Sequence, residues 1–181
     1  MKVTETALPG VLLLEPRIFR DDRGAFWETW NQDGYTKAGL PSVWVQDNCS
    51  SSKKNVIRGL HYQIIQPQGK LVRATRGAVW DVAVDLRRSS PNFGKHVAVE
   101  LSAENGCMLY IPIGFGHGFA ALTEDVGLAY KVTDYYCPAG ERTLLWNDPE
   151  LEIAWPVPEQ DAILSEKDRK GTGLREAEVF A

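Results

Sequence analysis

From Lys70 onward, apolar and polar residues alternate in short segments separated by residues that favour turns. Ala78, Trp80, Val82, Val84 and Leu86 fall on one face of an extended chain and Asp81 and Asp85 on the other, and Val97, Val99 and Leu101 repeat the pattern. A period of two is the signature of a pleated strand, because successive side chains leave opposite faces. Arg76-Gly77, Ser89-Ser90-Pro91-Asn92-Phe93-Gly94 and Ala103-Glu104-Asn105-Gly106 interrupt the series with turn chemistry. Residues 109–111, 118–122, 127–136 and 142–146 continue it. Helical periodicity is scarce: residues 31–39 predict one short helix, ended by Gly39 and Pro41, and the tail from Ser165 predicts another turn or two. The spacing predicts an all-β chain, a closed or nearly closed β-sandwich of jelly-roll type with a pocket between its sheets and a few short helices. No repeat, low-complexity tract or linker divides it, so residues 1–181 are expected to form one domain.

Composition narrows the function classes. A chain of 181 residues can bury a sizeable core without disulfides. Its 44% hydrophobic and 24% charged residues are those of an ordinary globular protein. A net charge of -4 disfavours nucleic acid as a partner, although a local Arg/Lys cluster can still hold a small phosphate ligand. The only apolar run near the N-terminus, Val11 to Leu14, is too short for a signal segment or a membrane span, and a cytoplasmic location is expected. Cys49, Cys107 and Cys137 are widely spaced, odd in number and form no CxxC, which suggests small buried or half-buried hydrophobes rather than a disulfide framework or thiolate metal site.

The candidate chemistry is thinly spread. Only three histidines occur, and His61-Tyr62-Gln63 stands where a metal-binding cupin would place His-x-His, so no metal is expected. Arg58-Gly59-Leu60-His61-Tyr62-Gln63 brings a guanidinium and an imidazole together on a predicted strand, with Lys70 shortly after. Arg58 can pair with phosphate, Lys70 can stabilise an oxyanion, and a neutral His61 can act as a general base; a structural histidine is the plainer alternative. Tyr130 and Tyr136 share a face if the strand between them is unbroken, either as core aromatics or as proton donors. Asp168 by itself reads as a solvated loop charge. Residues 19–28, Phe-Arg-Asp-Asp-Arg-Gly-Ala-Phe-Trp-Glu, suit either a nucleotide clamp or a hairpin with a charged tip.

These motifs, taken together and in order, resemble the dTDP-4-dehydrorhamnose 3,5-epimerase family. The resemblance runs from Arg23-Gly24-Ala25-Phe26-Trp27-Glu28 through Arg58 to Gln63, Gly69-Lys70-Leu71-Val72-Arg73 and Asp81 to Arg87. It goes on through Gly114-Phe115-Gly116-His117-Gly118-Phe119, Leu128-Ala129-Tyr130-Lys131, Leu145-Trp146-Asn147-Asp148-Pro149 and Leu164-Ser165-Glu166-Lys167-Asp168. It implies a cupin-like jelly roll, a homodimer, no metal or organic cofactor, and a dTDP-linked 4-keto-6-deoxyhexose as substrate, inverted at C3 and C5 on the way to dTDP-rhamnose and lipopolysaccharide. By the same resemblance His61 is the base, Asp168 the carboxylate that orients it, Tyr130 the acid on the opposite face and Lys70 the stabiliser of the enolate oxygen. Arg58 and His117 are implied at the diphosphate end. Phe19, Arg23, Phe26, Glu28, Gln46, Asn48, Tyr136 and Lys167 are implied in substrate binding, with the N-terminal segment reaching the partner subunit's site. His96, where the family often carries a bulky aromatic, and Ala129 depart from the pattern.

Three rivals have different signatures. A single-centre epimerase would use the same base and acid at C3 or C5 only. A non-catalytic sugar-nucleotide-binding cupin would lack His61, Tyr130 or Asp168, all of which are present. A metal-dependent cupin oxygenase would need the missing His-x-His.

Overall fold

The computed structural model describes residues 1–181. Its elements in chain order are β1 (Lys2–Glu5), β2 (Leu12–Glu15), β3 (Phe19–Asp21), β4 (Gly24–Phe26), α1 (Gln32–Lys37), β5 (Gln46–Ser52), β6 (Ile57–Gln63) and β7 (Lys70–Arg76). They continue with β8 (Ala78–Asp85), β9 (His96–Ser102), β10 (Met108–Ile111), β11 (Phe115–Ala121), β12 (Val126–Val132), β13 (Glu141–Thr143) and α2 (Glu166–Arg169). A six-stranded sheet in the order β1-β2-β10-β7-β12-β5 faces a five-stranded sheet in the order β13-β6-β11-β8-β9, and β3 and β4 form a separate hairpin. This is the cupin-like β-sandwich that the alternation predicts.

The core lies between the sheets, where Val72, Leu109 and Leu128 of one meet Val79, Ala83, Phe115 and Phe119 of the other. Each outer face is covered as well. Tyr35 of α1, Leu40, Trp30 and Trp44 pack over Leu71, Met108 and Tyr110. Leu144, Leu151, Leu174 and Ala177, from the chain beyond β12, pack over Leu60, Val82 and Val84.

Covering both faces changes the meaning of one sequence pattern. Asp81 and Asp85, on the polar side of the β8 alternation, are both fully buried. The apolar side of β8 faces the C-terminal cover, and the Asp81 side faces the interior of the sandwich, where polar groups gather. A second expectation also changes: the strand expected over residues 127–136 ends at Val132. The short helices follow their capping signals. Asn31 accepts a hydrogen bond from the Gly34 N–H at the start of α1, and Gly39 follows it at φ +89°. Of the cysteines, Cys107 and Cys137 are partly buried, but Cys49 is exposed, on an outward-facing position of the edge strand β5.

One irregularity positions the site. Strict alternation would send Arg58 and His61 to opposite faces of β6, because they are three residues apart. Pairing with β11 shifts register there: His117 lies opposite His61, and Phe119 lies opposite Arg58. Three residues of β6 therefore span two of β11, which is a bulge. Gly59 sits in it at φ +132°, and a Cβ added there would overlap the Gly118 Cα. Only glycine suits both the dihedral and the close approach. Gly59→Ala is expected to lower the unfolding free energy by about 1–3 kcal/mol and to reduce activity, measured by urea denaturation alongside turnover; wild-type stability would mean that the bulge relaxes without strain.

Candidate active site

A cavity of about 380 Å³ opens between the two sheets. Its two walls differ in chemistry. β5, β7 and β12 bring Gln46, Asn48, Lys70 and Tyr130 from the six-stranded sheet, while β6 and β11 bring Arg58, His61, Gln63 and His117 from the five-stranded one. His61 and Tyr130 thus line one cavity from facing sheets.

His61 Nε2 lies 2.6 Å from Asp168 Oδ1. Asp168 is only 3% exposed, contrary to a solvated loop charge. Its other oxygen, Oδ2, accepts a 2.6 Å hydrogen bond from the Ser165 hydroxyl, which in turn caps α2 by accepting from the Asp168 N–H. The cap and the serine bond leave Oδ1 for the imidazole. Burial alone would raise the Asp168 carboxyl, but the hydrogen bonds from His61 and Ser165 outweigh it and hold the pKa below the usual carboxylate value. For His61 burial wins over the attraction of Asp168, and the imidazole is pulled below its ordinary value. It is therefore neutral near pH 7. With Nε2 held by Asp168, Nδ1 makes no hydrogen bond within the chain.

Lys70 is 9% exposed, and its Nζ donates to the His61 carbonyl oxygen at 3.2 Å. Burial lowers its pKa to about 8, against the attraction of Asp81 and Glu141. His117 stands directly across the strand pair from His61, with Nε2 3.0 Å from Asp81 Oδ2. Tyr130 is half-buried, its phenol is pushed up by burial, and its hydroxyl has no partner within the chain. Arg58 is tied to β5, donating to Ser52 Oγ and to the Ser51 carbonyl oxygen, both at 3.0 Å.

At the mouth, Glu141 accepts hydrogen bonds from Tyr136 at 3.1 Å and Lys167 at 2.7 Å. Tyr136 therefore lines the cavity with Tyr130 although the strand between them is broken. Glu141, Gln63, Gln68 and Ser50 also line it and were not singled out from the sequence. No local signal marks Glu141 or Gln68, whereas inward alternation with Gln46 and Asn48 along β5 points to Ser50.

The N-terminal residues lie elsewhere. Phe19, Arg23 and Phe26 are on the exposed β3–β4 hairpin, where Arg23 pairs with Asp21 at 2.6 Å, and Glu28 accepts a hydrogen bond from Asn31. None of the four joins the His61 cavity within this chain. No group of three or more His, Cys, Asp and Glu side chains gathers as metal ligands.

Comparison with known proteins gives these features a family. The model of the dTDP-4-dehydrorhamnose 3,5-epimerase family matches residues 5–176. The chain is 56% identical over 182 residues to the dTDP-4-dehydrorhamnose 3,5-epimerase of Pseudomonas aeruginosa, covering 99% of each. Among solved structures it is similar to a dTDP-6-deoxy-D-glucose-3,5-epimerase from Legionella pneumophila in complex with dTDP-4-keto-L-rhamnose. The TM-score is 0.94 at 44% identity, over 98% of this chain and 94% of that one. It is also similar to a 3'-monoepimerase from Streptomyces bikiniensis in complex with dTDP-quinovose, with a TM-score of 0.87 and 34% identity over 94% and 86% of the two chains. A β-sandwich whose facing sheets bring an aspartate-held histidine and a tyrosine to one cavity, in a chain matched over nearly its whole length, belongs to the dTDP-4-dehydrorhamnose 3,5-epimerase family.

Proposed function

We propose that this epimerase converts dTDP-4-dehydro-6-deoxy-D-glucose to dTDP-4-dehydro-L-rhamnose by inverting C3 and C5, with His61 as base and Tyr130 as acid. The observation that carries this reading is that the two groups enter one cavity from opposite walls. The C4 ketone acidifies the hydrogens at C3 and C5. His61 Nδ1 takes a proton from one face of the sugar, the electron pair moves into an enolate at O4, and the Lys70 ammonium stabilises that oxygen. Tyr130 then gives a proton to the same carbon from the other face, and the ketone re-forms with the centre inverted. Asp168 holds the imidazole tautomer and stabilises the imidazolium. This sequence of steps asks nothing of a metal or an organic cofactor.

The remaining contacts follow the charges. Arg58 meets the diphosphate, His117 supports the substrate beside His61, and Gln46, Asn48, Tyr136 and Lys167 hold the outer part of the ligand. The chain acts as one unit over residues 1–181 and as a cytoplasmic homodimer, supplying dTDP-rhamnose for lipopolysaccharide. Its β3–β4 hairpin reaches the partner's cavity with Phe19, Arg23, Phe26 and Glu28. Two exposed rings, Phe26 at 74% and Phe19 at 52%, favour that role for the hairpin.

Three measurements test the mechanism. His61→Asn is expected to lower both deuterium exchange and epimerisation by about 10²- to 10⁴-fold, and a variant within a few-fold of wild type would remove His61 as the base. Tyr130→Phe is expected to separate the two observables. His61 still deprotonates the sugar and returns a deuteron to the face it came from, so exchange persists while inversion, especially at C5, falls by a much larger factor. A core tyrosine would instead tolerate the near-isosteric Phe with both rates intact, and parallel loss of both rates would contradict the opposite-face acid. NMR of the product separates inversion at both carbons from inversion at one.

The pH profile of kcat/KM is expected to be bell-shaped. Activity needs neutral His61, so it falls as pH drops through a value below the ordinary imidazole pKa. It also needs charged Lys70, so it falls as pH rises through about 8. Undiminished activity from pH 8 to pH 10 would exclude a required Lys70 ammonium.

A further inference from the structure

Between the end of β12 at Val132 and the start of β13 at Glu141 the chain passes the mouth of the cavity, and residues 134–137 belong to no helix or strand. Backbone groups that leave a ladder need other partners. Here glutamine side chains supply them. Gln68 Nε2 donates to the Asp134 carbonyl oxygen at 2.8 Å, and Gln46 Oε1 accepts from the Tyr136 N–H at 3.2 Å. Gln63 contributes on both sides of Tyr136: its Nε2 donates to the Tyr135 carbonyl oxygen at 3.2 Å, and its Oε1 accepts from the Cys137 N–H at 2.9 Å. The same Nε2 donates to the Gln66 carbonyl oxygen at 2.7 Å.

Gln63 is 5% exposed and closes β6. A glutamine amide has two N–H donors, and the carbonyl oxygens of Gln66 and Tyr135 engage both. With its oxygen facing the Cys137 N–H, the amide can be placed only one way round, and no donor remains for a ligand. In the ladder between β6 and β13, Gln63 stands opposite Glu141, whose carboxylate accepts the Tyr136 hydroxyl at 3.1 Å. Tyr136 is thus held through its backbone by Gln63 and Gln46 and at its tip by Glu141, although half of its surface is exposed. An exposed ring on a backbone without a ladder would otherwise sample many positions, and losing that freedom on binding costs affinity.

We propose that Gln63 is a positioning residue for substrate binding: it fixes the turn that carries Tyr136, so that the nucleotide sugar meets the ring already in place. The inference rests on the ligand contact assigned to Tyr136 above. Gln63 itself moves no proton and touches no reacting atom in this role. Its loss is therefore felt in KM more than in kcat.

The test is a double-mutant cycle between Gln63 and Tyr136, read as KM and kcat for dTDP-4-dehydro-6-deoxy-D-glucose. Gln63→Glu keeps the shape and the acceptor for Cys137 but turns an oxygen toward two carbonyl oxygens. Gln63→Met is of similar length and brings no charge into the interior. Each is expected to raise KM about tenfold, the scale of leaving buried polar groups unpaired, with a smaller effect on kcat. Tyr136→Ala is expected to raise KM as well, and adding either Gln63 substitution to it should raise KM no further, because the ring that Gln63 positions is already gone. Effects that multiply in the double variants mean that Gln63 acts independently of Tyr136, through the substrate or through the fold at large, and overturn the proposal. A wild-type KM in either Gln63 variant overturns it too. So does failure of both to fold, checked by circular dichroism, which leaves Gln63 a structural residue only. A wild-type KM in Tyr136→Ala refutes the ligand contact assigned to Tyr136 and the proposal with it, whereas a raised KM there beside unaffected Gln63 variants refutes the positioning role alone.

Discussion

In the mechanism proposed, a base and an acid that serve opposite faces of a flat enolate must be held rigidly on opposite walls. Two facing antiparallel sheets meet that requirement. Each inward side chain is fixed by the pleat of its strand, and each strand by neighbours on both sides. His61 on β6 and Tyr130 on β12 are central in this sense, flanked by β13 and β11 in one sheet and by β5 and β7 in the other. Because both outer faces of the sandwich are covered as well, the walls are backed by packed side chains rather than by water. A side chain on such a wall has little freedom to lose when substrate binds.

The interior also concentrates charge, and that charge is paired. Asp81 holds His117, Asp168 holds His61, and Lys70 donates to a backbone carbonyl oxygen close to both. Isolated, each of these groups would be costly to bury. Together they form a network in which burial lowers the pKa of both His61 and Lys70. The consequence is an imidazole held below its ordinary pKa next to an ammonium whose pKa is lowered to about 8. Asp168 enters this network from the C-terminal segment, whose backbone is tied to the body by a bridge between Leu144 and Thr172 and by a 2.6 Å hydrogen bond from the Leu174 N–H to Asp148. Docking of that segment is thus a condition for orienting the His61 imidazole.

Within one chain the β3–β4 hairpin stands clear with its aromatic rings exposed, and Arg23 is satisfied only by its neighbour Asp21. For Phe19, Arg23, Phe26 and Glu28 the identity of the residues and their location are therefore separate questions, and the sequence bears only on the first.

The all-β class, the turns and the short helix over Gln32–Lys37 were legible in the sequence because they depend on local rules: period-two alternation, turn residues and a capped helix start. The resemblance carried by residues 58–63, 114–119 and 164–168 named His61, His117 and Asp168, and the structure brings His61 and His117 to one cavity and Asp168 against His61. Tertiary structure decided what spacing cannot encode. Asp168 reads as a surface charge until a contact across 107 positions buries it against His61. Asp81 stands on the polar side of the β8 alternation, and only the packing of layers on both sides of β8 makes that side the interior. Arg58 and His61 share a wall only because the bulge at Gly59 breaks the alternation. Local pattern follows from the preferences of the backbone, which each residue expresses alone. The face that becomes interior, and the charges that meet there, depend on which layers pack together, and that is a property of the whole chain.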